Sequence, residues 1–258
     1  MNKLAIIGGT GLSVMDDLEN IKQETMQTPY GEPSAPLTHG VIGDQSVLFL
    51  PRHGHRHTLP PHKINYRANI WALNEAGATH ILAVAAVGGI PRHFVPQTLV
   101  VPDQIIDYTH SRINTYFEEG LEEVTHIDFS LPYCEALRKL LIAACQTLNF
   151  SIETRGTYAA TQGPRLETSA EINRLENDGC HIVGMTGMPE AALARELGLS
   201  YATLAVVANL AAGRSEEAIT MEMIQTHLSR GMEKTRNIIS VLAKMLVEAD
   251  ASGFSSRK

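Results

Sequence analysis

Short apolar runs, rich in β-branched residues, recur along the chain at 4–7, 47–50, 81–87, 99–101, 182–184 and 203–207. Several are apolar at consecutive positions rather than at alternate ones, the pattern of strands covered on both faces by helices. Between them the period changes. Residues 65–76 carry Ile70 and Leu73 at helical spacing and stop at Gly77, a good C-terminal signal. Residues 135–148 and 170–175 read as helices in the same way, and 190–197 follows Pro189, a residue suited to the first helical turn. A last helix is predicted over about 221–249, where Ile224, Leu228, Met232 and Ile239 recur at roughly helical intervals. Strands and helices alternate without a linker or repeat. The expectation is therefore an α/β fold with a single domain over 1–250, in which 30–37 is a loop, followed by a polar tail at 251–258.

Composition narrows the function classes. Of 258 residues, 44% are hydrophobic and 19% charged, ordinary values for a globular chain with a sizeable core. A net charge of −7 argues against a general nucleic-acid binder, which needs clustered Lys and Arg, but leaves room for an anionic small molecule in a local basic pocket. Cys134, Cys145 and Cys180 are odd in number and lack CxxC spacing, which fits reduced thiols in the cytoplasm better than a disulfide framework or a zinc site. No apolar run approaches the roughly 20 residues of a membrane span, so no membrane association is expected.

Two motifs at strand ends carry candidate chemistry. Gly8-Gly9-Thr10-Gly11 follows the first strand, so its amides and the Thr10 hydroxyl can line an anion site. The spacing does not match the GxGxxG of dinucleotide binding, and a plain tight turn remains the alternative. Arg52-His53-Gly54-His55-Arg56-His57 follows the strand ending at Leu50. Guanidinium matches phosphate oxygens, whereas a metal would meet two repelling cations and no acidic ligand, so no metal is assigned; a solvated basic loop is the other reading. Arg52 and His53 are nearest the strand end, where ligands of open α/β sheets sit. Farther on, 85–89 is a small-residue strand end, and Glu167 and Thr168 precede a helix that either could cap.

Taken in order, Gly8-Gly9-Thr10-Gly11, Arg52-His53-Gly54-His55, the segment 64–73 (Ile-Asn-Tyr-Arg-Ala-Asn-Ile-Trp-Ala-Leu), the Gly163–Thr168 loop and Met185-Thr186-Gly187-Met188-Pro189-Glu190 span nearly the whole chain. Together they resemble the trimeric purine nucleoside phosphorylase and methylthioadenosine phosphorylase family. The resemblance implies a nucleoside-phosphorylase fold with a central mixed, twisted sheet flanked by helices. It implies a homotrimer with sites at subunit interfaces, and phosphorolysis of a nucleoside with phosphate as co-substrate and no cofactor. By the same resemblance Thr10, Arg52, His53, the backbone at Ala86 and Thr186 bind phosphate. Met185 lies under the ribose, Leu166, Glu167, Asn209, Leu210 and Ala211 belong to the base site, and Asn209 and His53 are the catalytic pair. Ala85 departs from the Thr or Asn of many relatives and removes a side-chain donor.

The resemblance also bears on the substrate. Methylthioadenosine phosphorylases place two aspartates around the position of Asn209, where this chain has Asn209 and Ala211. A carboxamide can donate to a 6-oxo group while accepting from N7–H, and Glu167 matches a residue that accepts from N1–H. Both features favour a 6-oxopurine. Where relatives that accept ordinary nucleosides use a His for the 5'-hydroxyl, this chain has Met221 and Ile224, suited to a thioether, although core packing explains them equally well. His126 resembles a residue supplied by a neighbouring subunit near the 5' group. The expected substrate is S-methyl-5'-thioinosine, cleaved to hypoxanthine and 5-methylthioribose 1-phosphate. The alternatives are methylthioadenosine phosphorolysis or a broad action on 6-oxopurine nucleosides.

Overall fold

A computed structural model describes residues 2–12, 15, 18–216 and 220–251, with the backbone alone at Met221, Asp250 and Ala251. The expected tail at 251–258 lies outside the described residues but for the backbone of Ala251, which closes the last helix.

Among the described residues eleven strands form one mixed sheet. In chain order they are β1 (Leu4–Gly8), β2 (Glu19–Glu24), β3 (Leu37–Ile42), β4 (Gln45–Pro51), β5 (His80–Gly89), β6 (Leu99–Val100), β7 (Gln104–Asp107), β8 (Ile152–Glu153), β9 (Thr157–Ala160), β10 (Ile182–Gly184) and β11 (Ser200–Leu210). The helices are α1 (Tyr66–Glu75), α2 (Glu135–Thr147), α3 (Ser169–Asn177), α4 (Gly187–Glu196) and α5 (Met221–Ala251). Strand order runs β2-β3-β4-β1-β5-β10-β9-β7, and β11 branches from β5 to carry β6 and β8.

The sheet is organised by β5. One edge pairs in parallel with β11 from Ser200↔His80 to Leu210↔Gly89, interrupted by one register shift between Val207 and Asn209. The other edge pairs with β1 only from Leu4↔His80 to Ile7↔Ala83, and then with β10, antiparallel, only at Gly88 and Gly89. Residues 84–87 lie between these two partners, so the sheet forks there, and the fork holds the site.

Each apolar run of the sequence falls in a buried strand, and the two faces bury separate clusters. One face meets α1 and α4, the other α2 and α5. The polar side chains at helix starts act as expected. Asn65 caps α1 through Oδ1, which accepts from Ala68 N–H, and Thr168 caps α3 in a capping box with Glu171. Thus Thr168 does the capping, which leaves Glu167 free for other contacts. In α4 the regular helix begins at Pro189, since Met188 keeps an extended backbone (φ −120°, ψ 142°).

The sequence did not announce β2, β3, β7, β8 or β9. In β2 (ENIKQE) every residue is exposed, and its charges suit a sheet edge that must not pair further. Strands β7 and β9 have four residues each and β8 two, too short to establish a period.

Close packing at the end of β1 explains Gly8. A Cβ there would stand 2.0 Å from the Leu12 carbonyl oxygen and 2.8 Å from the Phe49 ring. Gly8→Ala is expected to lower the unfolding free energy by about 3 kcal/mol, the upper range for overpacking. Urea denaturation with an unchanged midpoint would show that the turn adapts instead.

Candidate active site

The ends of β1, β4, β5, β10 and β11 converge on a cavity of about 350 Å³. Gly9 and Thr10 form one corner, in the turn that continues β1 and passes through Gly11 at φ +86°. A Cβ at Gly9 would lie 2.6 Å from the Val84 carbonyl oxygen and 3.0 Å from Arg52 Nη1, so only glycine lets the turn close over the fork. Arg52 N–H donates to the Gly8 carbonyl (2.9 Å), which ties the end of β4 to that turn.

Inside the fork Arg52 replaces the missing strand neighbour. Its Nη1 donates to the Val84 carbonyl at 3.1 Å, while Nε and Nη2 grip Glu190 at 2.6 and 2.8 Å. The pair is sealed, with side-chain exposures of 1% and 0%. Tyr201 Oη adds a third donor to Glu190 at 2.9 Å. Burial opposes the charge on Arg52, but the adjacent Glu190 carboxylate more than offsets it and holds the guanidinium pKa above its ordinary value. Three of its five N–H bonds are therefore spent on protein. The expected free phosphate clamp is instead an internal ion pair that retains two N–H donors, on Nη1 and Nη2, beside the cavity.

Residues of a strand direct N–H and C=O to the same edge, and alternate residues share an edge. Ala86 thus points its N–H to the same side as the Val84 carbonyl, into the cavity that it helps to line. Thr186, buried at the β10–α4 junction, completes this polar end. Ala85 is 5% exposed and contributes no hydrogen-bonding side chain.

His53 is held by Nδ1, 2.8 Å from the Leu59 carbonyl. A carbonyl only accepts, so Nδ1 carries the proton. Burial, and then the charge on Arg52, push the imidazole pKa down to about 4. The ring is therefore neutral near pH 7, and bare Nε2 is able to accept a hydrogen bond, as from a P–OH or a sugar hydroxyl. The sequence left His55 and His57 open. His57 lines the cavity with Nε2 3.4 Å from Thr10 Oγ1, and burial lowers its pKa, whereas His55 is exposed.

The other end of the cavity is formed by Met185, Leu166, Glu167, Asn209, Ala211 and Ile224. Glu167 Oε1 accepts from Thr161 Oγ1 at 2.7 Å, leaving its second oxygen uncommitted to that bond. Asn209 Nδ2 donates to the Leu210 carbonyl at 2.7 Å. That contact fixes the amide orientation: one N–H and the carbonyl Oδ1 remain for a ligand.

One base-site expectation changes. The Leu210 side chain does not line the cavity; its contribution is the carbonyl that orients Asn209. His126 is exposed on the irregular segment 108–131 and does not reach the cavity of its own chain. Met221 opens α5, but its side chain lies outside the described residues. Sequence reasoning missed the wall formed by Thr58, Leu59, Pro60 and Pro61, a loop without chemical signature, and missed Glu190, which reads as an ordinary helix-start acid. Among the described residues no cluster of three or more His, Cys, Asp or Glu is placed to hold a metal ion, and no helix is long and apolar enough to cross a membrane.

A forked mixed sheet whose cavity is lined by Thr10, Arg52, His53, Thr186, Glu167 and Asn209 sets the class. The chain belongs to the phosphorylase superfamily, whose pattern it matches over residues 3–244. It is 57% identical over 247 residues to the probable S-methyl-5'-thioinosine phosphorylase of Pseudomonas syringae pv. tomato, covering 95% of this chain and 99% of that one. It is 50% identical over 225 residues to the 6-oxopurine nucleoside phosphorylase of Pyrococcus furiosus, covering 85% of this chain and 84% of that one. Among solved structures, methylthioadenosine phosphorylase from Schistosoma mansoni in complex with adenine matches with a TM-score of 0.92 at 33% identity, covering 100% of this chain and 99% of that one.

Two expectations come from this geometry. Glu190→Ala strands a buried guanidinium and should cost about 4 kcal/mol of stability; calorimetry showing an unshifted Tm would mean that Arg52 finds water instead. His53 has a folded pKa near 4 against an ordinary 6.5. Above pH 6.5 it is neutral in both states and contributes nothing to pH dependence. As pH falls from 6.5 to about 4 the unfolded chain takes up the proton and the fold does not, so stability is lost through that window. The loss approaches about 3 kcal/mol at the lower end. His53→Asn should flatten that part of a stability-versus-pH curve, and a slope equal to the parent's would contradict the assignment.

Proposed function

We propose that this chain is a purine nucleoside phosphorylase acting on S-methyl-5'-thioinosine, releasing hypoxanthine and 5-methylthioribose 1-phosphate. The observation that carries the reading is the orientation of Asn209. With one N–H spent on Leu210, the amide keeps one donor for O6 and Oδ1 for N7–H, while the free oxygen of Glu167 accepts from N1–H. Adenine presents a lone pair at N1 and an amino group at position 6, so it would set carboxylate against lone pair and donor against donor. The probable methylthioinosine phosphorylase at 57% identity and the 6-oxopurine enzyme at 50% identity support the same base. Ile224 in the cavity wall supports an apolar 5' substituent, because a hydroxyl there would lose water without a partner.

In this reading the remaining Arg52 donors, Thr10, Thr186 and the Ala86 amide hold phosphate below C1'. The C1'–N9 bond breaks as the bond from phosphate oxygen to C1' forms. The sugar passes through an oxocarbenium-like state over Met185, and negative charge moves onto the purine. Asn209 stabilises that charge through the protonated N7. The proton carried by hydrogen phosphate balances the reaction, leaving as the hydrogen of neutral hypoxanthine. His53, neutral with Nε2 bare, accepts a hydrogen bond from phosphate or sugar and holds the two reactants in register.

Assembly belongs to the same proposal. The segment 108–131 exposes Ile113, Leu121, Val124 and Leu131 as well as His126, which suits burial against a neighbouring subunit in a homotrimer where His126 reaches the 5' end of the adjoining cavity. The three free cysteines fit a cytoplasmic enzyme.

The test is phosphate-dependent kcat/KM for 5'-methylthioinosine beside 5'-methylthioadenosine and inosine. Each mispaired polar contact is worth about 2 kcal/mol, so methylthioinosine should exceed methylthioadenosine by at least about thirtyfold. Asn209→Asp should narrow that ratio. Preference for methylthioadenosine would refute the base assignment, and preference for inosine would refute the apolar 5' pocket.

A further inference from the structure

Strands β9 and β10 run parallel from Tyr158↔Ile182 to Ala160↔Gly184, and Thr161 N–H donates to the Gly184 carbonyl as the last rung. Beyond it the chains separate. One becomes the loop bearing Leu166 and Glu167, the base side of the cavity; the other becomes Met185 and Thr186, its floor. The Arg112 side chain spans the opening. Arg112 Nη1 donates to the carbonyls of Met185 (2.8 Å) and Met188 (2.7 Å), and Nη2 to those of Gln162 (2.8 Å) and Thr161 (3.2 Å). Nε donates to Gln162 Oε1 at 3.1 Å, and Tyr66 packs beneath the guanidinium with Oη 3.2 Å from Nη1.

We infer that Arg112 is a positioning residue that sets the distance between the base-binding loop and the floor beneath the sugar, by clamping both chains where the β9–β10 ladder ends. The inference rests on the proposed phosphorolysis for its kinetic form. All five N–H groups are used, and the fixed planar fork reaches carbonyls on two diverging chains, which a lysine ammonium cannot do. The two walls also touch directly: a Cβ at Gly163 would lie 2.3 Å from Met185 Sδ, so any change in their separation moves Met185 relative to Glu167. Most of the phosphate end stands apart from this clamp, since Thr10, Arg52 and Ala86 lie at or beyond the ends of β1, β4 and β5, and only Thr186 shares a clamped chain.

Arg112→Lys and Arg112→Ala should therefore lower kcat/KM for the nucleoside about a hundredfold, the scale of an ångström misplacement, while the KM for phosphate, set mainly by Thr10, Arg52 and Ala86, changes far less. Added guanidinium should restore the Ala variant in part, and ammonium should not. A purely structural role would lower Tm and the active fraction and shift both KM values together, with no rescue, and that result overturns the inference. Calorimetric binding of hypoxanthine and of phosphate to each variant provides a second readout independent of turnover: a much greater loss of base affinity than of phosphate affinity supports the clamp, and equal loss or no loss overturns it. If the parent enzyme itself fails to cleave nucleosides with phosphate, the functional proposal falls, while the binding comparison still decides the role of Arg112.

Discussion

The buried pair of Arg52 and Glu190 is the constraint on which the site depends. A sheet that forks must leave part of a strand edge without a neighbour, and an unpaired carbonyl in the core is costly. Here the Val84 carbonyl is satisfied by Arg52, and the charge this brings into the core is balanced by Glu190, itself bound by Tyr201. These contacts join β4, β5, α4 and β11, so the fork is held open by hydrogen bonds rather than closed by packing. An open fork is what exposes the Ala86 amide and leaves space beside Thr10. A buried ion pair adds little net stability over an apolar substitute. Its value at this point is geometric, because an apolar filler would have no N–H left to face an anion.

The same pair fixes the behaviour of His53. A permanent positive charge next door, together with burial, keeps the imidazole neutral, and the Leu59 carbonyl decides which nitrogen holds the proton. Positive charge at the anion end is thus confined to one guanidinium with most of its donors already aligned. On the proposed reading little reorganisation remains to be done when phosphate arrives, which is the economy of a preorganised site.

How much of this was legible in the sequence depended on whether a residue's chemistry lay in its side chain. The central strands β1, β4, β5 and β11 were readable because burial on both faces imposes apolar runs, and α1 and α5 because their stripes recur over several turns. Strand β2 was not, since an exposed edge is polar at every position. Thr10, Arg52, His53, Glu167 and Asn209 carry distinctive groups in ordered motifs, and they do meet in one cavity. Arg112 gave no signal, because its partners are mostly main-chain carbonyls brought together only by the fold. Leu210 illustrates the converse: the residue was legible as part of a motif, but its contribution is a carbonyl, and its side chain is absent from the cavity wall.

The division of labour between the two ends of the cavity bears on how one fold serves several purines. Arg52, Gly9 and Ala86 are fixed by strand ends that the buried core determines, and a shift there would disturb the fork itself. Glu167 sits on a loop beyond the last rung of β9 and β10, and Asn209 sits at the register shift near the end of β11, where pairing is already irregular. Substitution at these positions changes donors and acceptors without repacking the sheet. That separation fits a fold retained at a TM-score of 0.92 at only 33% identity, among relatives named for methylthioadenosine, methylthioinosine and 6-oxopurine nucleosides. On the proposed reading the phosphate chemistry is tied to the core, and the choice of base is made by side chains on the loop after β9 and at the end of β11.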